Sequence, residues 1–135
     1  DFRVSQNIPW TSDQTQFGFS FKYDTTNGMT VTTTKKTTNN WDVQYLTMTD
    51  IPTEKGKTYK AIITMKGSDD GKMNVKLGDW TSGPAREVIF TTEWQDIEVE
   101  FTNCLANSFL MFQHGHFVGT VNVKQIVIKE QVMGK

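Results

Sequence analysis

Strict alternation of apolar and polar residues constrains this chain more than any other feature. Phe17, Phe19, Phe21 and Tyr23 recur at every second position, and so do Met29, Val31 and Thr33. The same period runs through Tyr59, Ala61, Ile63, Met65, then Met73, Val75, Leu77, then Val88, Phe90. It returns in Ile97, Val99, Phe101 and in Val121, Val123. Successive side chains of a strand point to opposite faces, so this period describes strands with one buried face. No stripe at helical spacing accompanies it. Turn residues punctuate the runs: Thr26-Asn27-Gly28, Lys55-Gly56-Lys57, Asp69-Asp70-Gly71, Ser82-Gly83-Pro84, and a loop from Asn103 to Ser108. Asp-Gly between two strands reads as a hairpin, because both residues tolerate positive φ. Roughly nine short strands at regular spacing predict an all-β antiparallel sandwich, most simply a jelly roll, with termini close together and no long helix.

At 135 residues the chain suits one domain, spanning 1–135, with a core that needs no staples. It begins at Asp1 rather than Met, and the expectation is a single module excised from a larger protein. A net charge of -1 gives no long-range pull toward nucleic acid or an anionic membrane, and no apolar run is long enough to span a bilayer. Such a balance suits a neutral partner.

Catalytic signals are missing. A glycosidase needs two carboxylates held across a sugar, one with a raised pKa. Here the acids sit in turns, as Asp69 and Asp70, or at alternate strand positions, as Glu98 and Glu100. No nucleophile elbow, phosphate loop or dinucleotide fingerprint occurs. The single cysteine, Cys104, reads as a small packed residue without an internal disulfide partner. His114 and His116, in Gln113-His114-Gly115-His116, have the spacing to chelate a metal from one strand face, to contact a ligand, or to serve structure.

Tryptophan placement is more informative. Trp94 precedes the Ile97, Val99, Phe101 run and reads as packing against the core, with a truncation cost of about 3–5 kcal/mol. Trp10 near the chain start reads as closing the sandwich edge. Trp41 follows a polar stretch and opens a strand. On the run from Met73 to Trp80, the odd positions are apolar, and the even set is Asn74, Lys76, Gly78 and Trp80. A regular strand therefore puts Trp80 among polar neighbours. A pyranose offers an apolar C–H face for stacking and equatorial hydroxyls for hydrogen bonds, and an indole among amides answers both.

Four stretches carry a resemblance: Trp41-Asp42-Val43-Gln44, Gly56-Lys57-Thr58-Tyr59-Lys60, Phe90 to Phe101 with Trp94, and Phe109 to Gln113. In order and spacing they resemble the family 4 and family 22 carbohydrate-binding modules of xylanases and related glycanases, over about Asn39 to Glu130. Val75-Lys76-Leu77-Gly78-Asp79-Trp80 and Met111-Phe112-Gln113-His114-Gly115 look closest to modules inserted in family 10 xylanases of gut Bacteroidetes. The resemblance implies a jelly roll whose concave sheet forms an open cleft for one glycan chain. It implies sugar stacking by Trp41 and Trp80, hydroxyl recognition by Gln44, and cleft lining by Gln113, with His114 beside it. Asn74 and Lys76 complete the candidate set. The face of Gln113 stays open, because Phe109 and Met111 share its parity while Leu110 and Phe112 share that of His114.

The implied ligand is xylan or a xylo-oligosaccharide, with mixed-linkage β-glucan as the alternative glycan and a protein-contacting adhesion sandwich as the alternative class. The implied partner is a covalently attached catalytic domain, an endo-xylanase, with the module a monomer that is secreted or on the cell surface, periplasmic or outer-membrane-associated in a Gram-negative bacterium. No cofactor is expected. The resemblance leaves room for a structural calcium, which related modules often hold through an aspartate near the start of the last strand; Asn122-Val123-Lys124-Gln125-Ile126 offers no acid there, so its ligands are unassigned.

Overall fold

The computed structural model describes residues 2–6, 10–12, 19–24, 26–47 and 51–131. Eleven strands are described: β1 (Phe2–Gln6), β2 (Trp10–Ser12), β3 (Phe19–Asp24), β4 (Gly28–Thr33), β5 (Gln44–Thr47), β6 (Thr58–Gly67), β7 (Gly71–Gly78), β8 (Ala85–Phe90), β9 (Gln95–Phe101), β10 (Phe109–Gln113) and β11 (Gly119–Gln131). Among the described residues the helical element between them is a 3-10 turn, Asn40–Asp42.

The strands form two antiparallel sheets. One has the order β3-β4-β11-β6-β9, with β1 also pairing β11, and the other has the order β2-β5-β10-β7-β8. Strand β11 is long enough to seat β4 along Gly119–Val123 and β1 along Ile126–Lys129 on one side, while β6 takes the other. Phe2 pairs with Lys129, so the two ends of the described chain lie together. Trp10 stands on the edge strand β2, in register with Thr47, and Phe17 lies outside the described residues.

The alternating residues meet between the sheets. Met29, Val31, Ala61, Ile63, Met65, Val121 and Val123 come from one sheet, and Tyr45, Met73, Val75, Leu77, Val88, Phe90, Leu110 and Phe112 from the other; all are buried in one core. Full burial of a large apolar side chain is worth about 1.5–3 kcal/mol, so this set dominates the stability. On β11 the inward set changes parity, from Val121 and Val123 to Ile126 and Ile128. The register shift between Val123 and Gln125 accounts for this: an extra residue in one strand restores the inward face beyond it. The turn before β4 packs against this irregularity. Gly28 has φ +72°, and a Cβ there would collide with the Val123 carbonyl.

Two expectations need correction. Trp94 is not a core residue: it lies in the turn between β8 and β9, is 40% exposed, and has the ammonium groups of Lys66 and Lys124 at 5.0 and 5.6 Å from its ring centre. Period-two alternation begins only at Gln95, and Trp94 sits outside the strand it precedes. Its packing is with lysine stems and cation–π contacts. His114 does not face solvent or a ligand. It follows Leu110 and Phe112 inward and is fully buried, with Nε2 2.9 Å from the Tyr45 hydroxyl and Phe117 against its ring. Its Nδ1 has no hydrogen-bond partner. Burial pushes its pKa down to about 4.

Both corrections are measurable. Trp94→Ala should cost about 1 kcal/mol in urea unfolding, where Phe101→Ala, at a fully buried ring, should cost about 3–5 kcal/mol; equal costs would return Trp94 to the core. For His114 the folded pKa lies below the unfolded value near 6.5, so the unfolded chain takes up the proton first and stability falls as pH drops from about 6.5 to 4. Between pH 7 and 4.5 the loss should be about 2 kcal/mol, and His114→Gln should remove most of that slope. A slope unchanged in the variant would place the titration elsewhere.

Candidate functional site

The outward face of the β2-β5-β10-β7-β8 sheet carries the candidate residues. Strand β10 lies between β5 and β7, with Gln113 in register with Gln44 on one side and Asn74 on the other. Leu110 and Phe112 belong to the core, so Phe109, Met111 and Gln113 face outward. The next row along the strands is Leu46, Met111 and Lys76. Leu46 and Met111 are buried on this face and make an apolar floor beside the amide row.

Gln113 Nε2 donates to Gln44 Oε1 at 2.5 Å. That bond orients both amides and leaves the Gln44 amide N–H groups as donors and the Gln113 carbonyl oxygen as an acceptor. Trp41 and Trp80 stand over this pair, and the four residues line one open cavity of about 360 Å³. The indoles are 57% and 54% exposed, far more than core aromatics, which leaves flat apolar surface facing solvent. Asn74 and Lys76 share the face, half-buried, but lie beside this lining rather than in it. His114 faces the core, as described above.

Each tryptophan is placed by a loop with its own constraint. Trp41 sits in the 3-10 turn, where Asp42 and Val43 turn inward and are buried, leaving the indole outside. The Asp42 carboxylate accepts the Asn39 N–H at 3.0 Å and closes the turn. The residues after β10 clamp it from below: Gly115 N–H donates to the Asn40 carbonyl at 2.9 Å, the Gly115 carbonyl accepts from Thr37 N–H at 2.8 Å, and His116 N–H donates to Asn40 Oδ1 at 3.0 Å. A Cβ at Gly115 would collide with Thr37 Oγ1 and the Asn39 carbonyl, so the approach requires glycine. His116 Nε2 lies 2.9 Å from the Thr38 carbonyl oxygen. The Gln-His-Gly-His motif thus acts through Gly115 and His116 as a support for Trp41, a role its sequence spacing does not reveal.

Trp80 follows β7 in a loop organised by Asp79. Its Oδ1 accepts the N–H groups of Thr81 and Ser82 at 2.9 and 2.6 Å, and these bonds hold the Asp79 carboxyl below the usual carboxylate range. The Trp80 ring rests near Phe109, with centroids 6.2 Å apart and planes tilted by 55°. Asx turns of this kind are recognisable only once the loop's backbone is known.

Among the described residues no acid, base or nucleophile lines the cavity. Cys104 is buried away from it, and burial pushes its thiol up to about 11, where it is a poor nucleophile. Among the described residues no three His, Cys, Asp or Glu side chains gather to hold a metal. Asn122, in the segment that offers no acid for a calcium, donates its amide to Thr30 Oγ1 at 2.8 Å.

With this geometry in view, the comparisons are specific. A family model described as a carbohydrate binding domain matches residues 1–108. No curated protein matches the sequence. Among solved structures, BiXyn10A CBM1 in its apo form superposes with a TM-score of 0.86 at 25% identity, covering 96% of this chain and 99% of that one. The CBM22-1 xylan-binding domain of Paenibacillus barcinonensis Xyn10C gives 0.61 at 10% identity, covering 96% and 94%. The second N-terminal cellulose-binding domain of Cellulomonas fimi β-1,4-glucanase C gives 0.64 at 18%, covering 93% and 94%. The last two share the fold. Exposed indoles beside an amide pair and a family match across most of the sequence have one conclusion: the chain belongs to the carbohydrate binding domain family, as a non-catalytic β-sandwich module related to those of xylanases.

Proposed function

We propose that this module binds xylan and xylo-oligosaccharides, ahead of mixed-linkage β-glucan and other hemicelluloses, and thereby holds an attached glycanase on its substrate. The observation that carries this reading is the pairing of two half-exposed indoles with the Gln44–Gln113 amide pair over one open cavity. Each indole takes the C–H face of one sugar ring, and the amides take the hydroxyls between them. A cavity open to solvent grips the interior of a chain, so affinity grows with oligosaccharide length. The xylan-binding domain and the BiXyn10A module among the structural neighbours support xylan as the first ligand to test. The setting is outside the cytoplasm, secreted or at the cell surface, where such a polymer is found.

Affinity electrophoresis against xylan, mixed-linkage β-glucan and soluble cellulose derivatives tests the reading. Retardation should be strongest in xylan, with Kd of about 10 μM to 1 mM, or roughly -4 to -7 kcal/mol. Strongest retardation in a glucan would reassign the ligand, and none in any gel would remove the sugar reading. Calorimetry then separates platform from core: Trp41→Ala or Trp80→Ala should cost about 1.5–3 kcal/mol of binding, ten- to a hundredfold, and less than about 1 kcal/mol of stability. Gln44→Ala should cost about 0.5–1.5 kcal/mol of binding. Gly115→Ala should weaken binding several-fold without removing any group from the cavity, because it displaces the Trp41 turn; unchanged affinity would show that the turn needs no such clamp.

A further inference from the structure

A cation stands beside the cavity lining on the same sheet face. Lys76 lies on the outward face of β7, between Met111 of β10 and Ala85 of the edge strand β8. It is half-buried, and no carboxylate among the described residues comes within ion-pair distance of it. Its acidic neighbours are engaged elsewhere. The Asp79 carboxylate accepts from the backbone of Thr81 and Ser82 and from Thr81 Oγ1, and it senses Lys76 only at longer range. Glu87, one register step away opposite Asn74, goes to Lys72 at 3.7 Å. So Lys72, at the far end of the strand's outward row, is paired, while Lys76, beside the floor between the two indoles, is not.

The surroundings favour an incoming anion there. The described residues of the cavity lining are uncharged, so none of them opposes a carboxylate. Its register partner on the edge strand β8, Ala85, carries only a methyl group and offers the Lys76 ammonium no acceptor. A sugar chain stacked between Trp41 and Trp80 would run past Lys76, and a substituent branching off it toward β8 would meet the ammonium.

We propose that Lys76 makes this site selective for glycan chains that carry carboxylate substituents, such as uronic acid side groups, over the same chain without them. The inference rests on the sugar reading above and adds a charge preference to it. A charge-assisted contact at a partly buried ammonium is stronger than its fully exposed counterpart and weakens with ionic strength.

The test is calorimetry of the 135-residue chain with two xylo-oligosaccharides of equal backbone length, one bearing a single glucuronic acid, one unsubstituted, at about 10 and 500 mM NaCl. The readout is the ratio of the two affinities. In the parent protein the acidic ligand should bind about three- to tenfold more tightly at low salt, and the ratio should fall toward unity at high salt. Lys76→Gln should bring the low-salt ratio to about unity, and Lys76→Arg should keep it. A ratio near unity in the parent, or a preference that survives Lys76→Gln or high salt, overturns the assignment while leaving the sugar reading standing. Failure to bind either ligand overturns both.

Discussion

Strand β10 sits between β5 and β7, and its parity governs the rest of the molecule. Leu110, Phe112 and His114 go inward; Phe109, Met111 and Gln113 go outward. A shift of one residue would exchange these sets, burying an amide and exposing two large apolar side chains, which the core could not tolerate. The same register sets Gln113 level with Gln44 and with Asn74, and so creates the polar row on which the site is built. The packing that stabilises the sandwich and the geometry that recognises a ligand are therefore two faces of one constraint.

The indoles depend on that frame less directly. Neither belongs to a strand. Trp41 rides on a turn closed by Asp42 and clamped by Gly115 and His116 from the end of β10, and Trp80 on a loop organised by the Asp79 carboxylate. Backbone hydrogen bonds and a close approach that only glycine allows hold these loops, so the aromatic surface is presented in advance and little ordering remains to be done on binding. The exposure of both rings is a cost the fold accepts, and a stacked sugar would remove it.

The described lining residues are uncharged, which fits a neutral polymer, and Lys76 stands beside them. Elsewhere on the sandwich several lysines are occupied: Lys57 with Glu54 and Glu130, Lys60 with Glu98, Lys72 with Glu87, and Lys66 over Trp94. Most of these pairs are exposed and contribute little to stability.

The alternation by itself determined an all-β fold of strands with one buried face, because a period of two puts every second side chain on the same side; the alternating residues from Met29 to Val123 face the core as their parity predicts. The odd-even split on β7 likewise placed Asn74 and Lys76 outward, and the resemblance to known modules pointed to Trp41, Gln44, Trp80 and Gln113, which do line one cavity. Where both parities are apolar, as on β10, the sequence was silent, and only the pairing with β5 and β7 assigned Gln113 outward and His114 inward. Trp94 is ambiguous in the sequence for a related reason: a large aromatic next to a strand can pack inward or outward, and only its neighbours in space, here Lys66 and Lys124, decide. The supports from Gly115, His116 and Asp79, and the unpaired state of Lys76, depend on backbone contacts and on which carboxylates other groups have already taken. Those are properties of the folded arrangement, since they join residues far apart in the chain, and no local pattern encodes them.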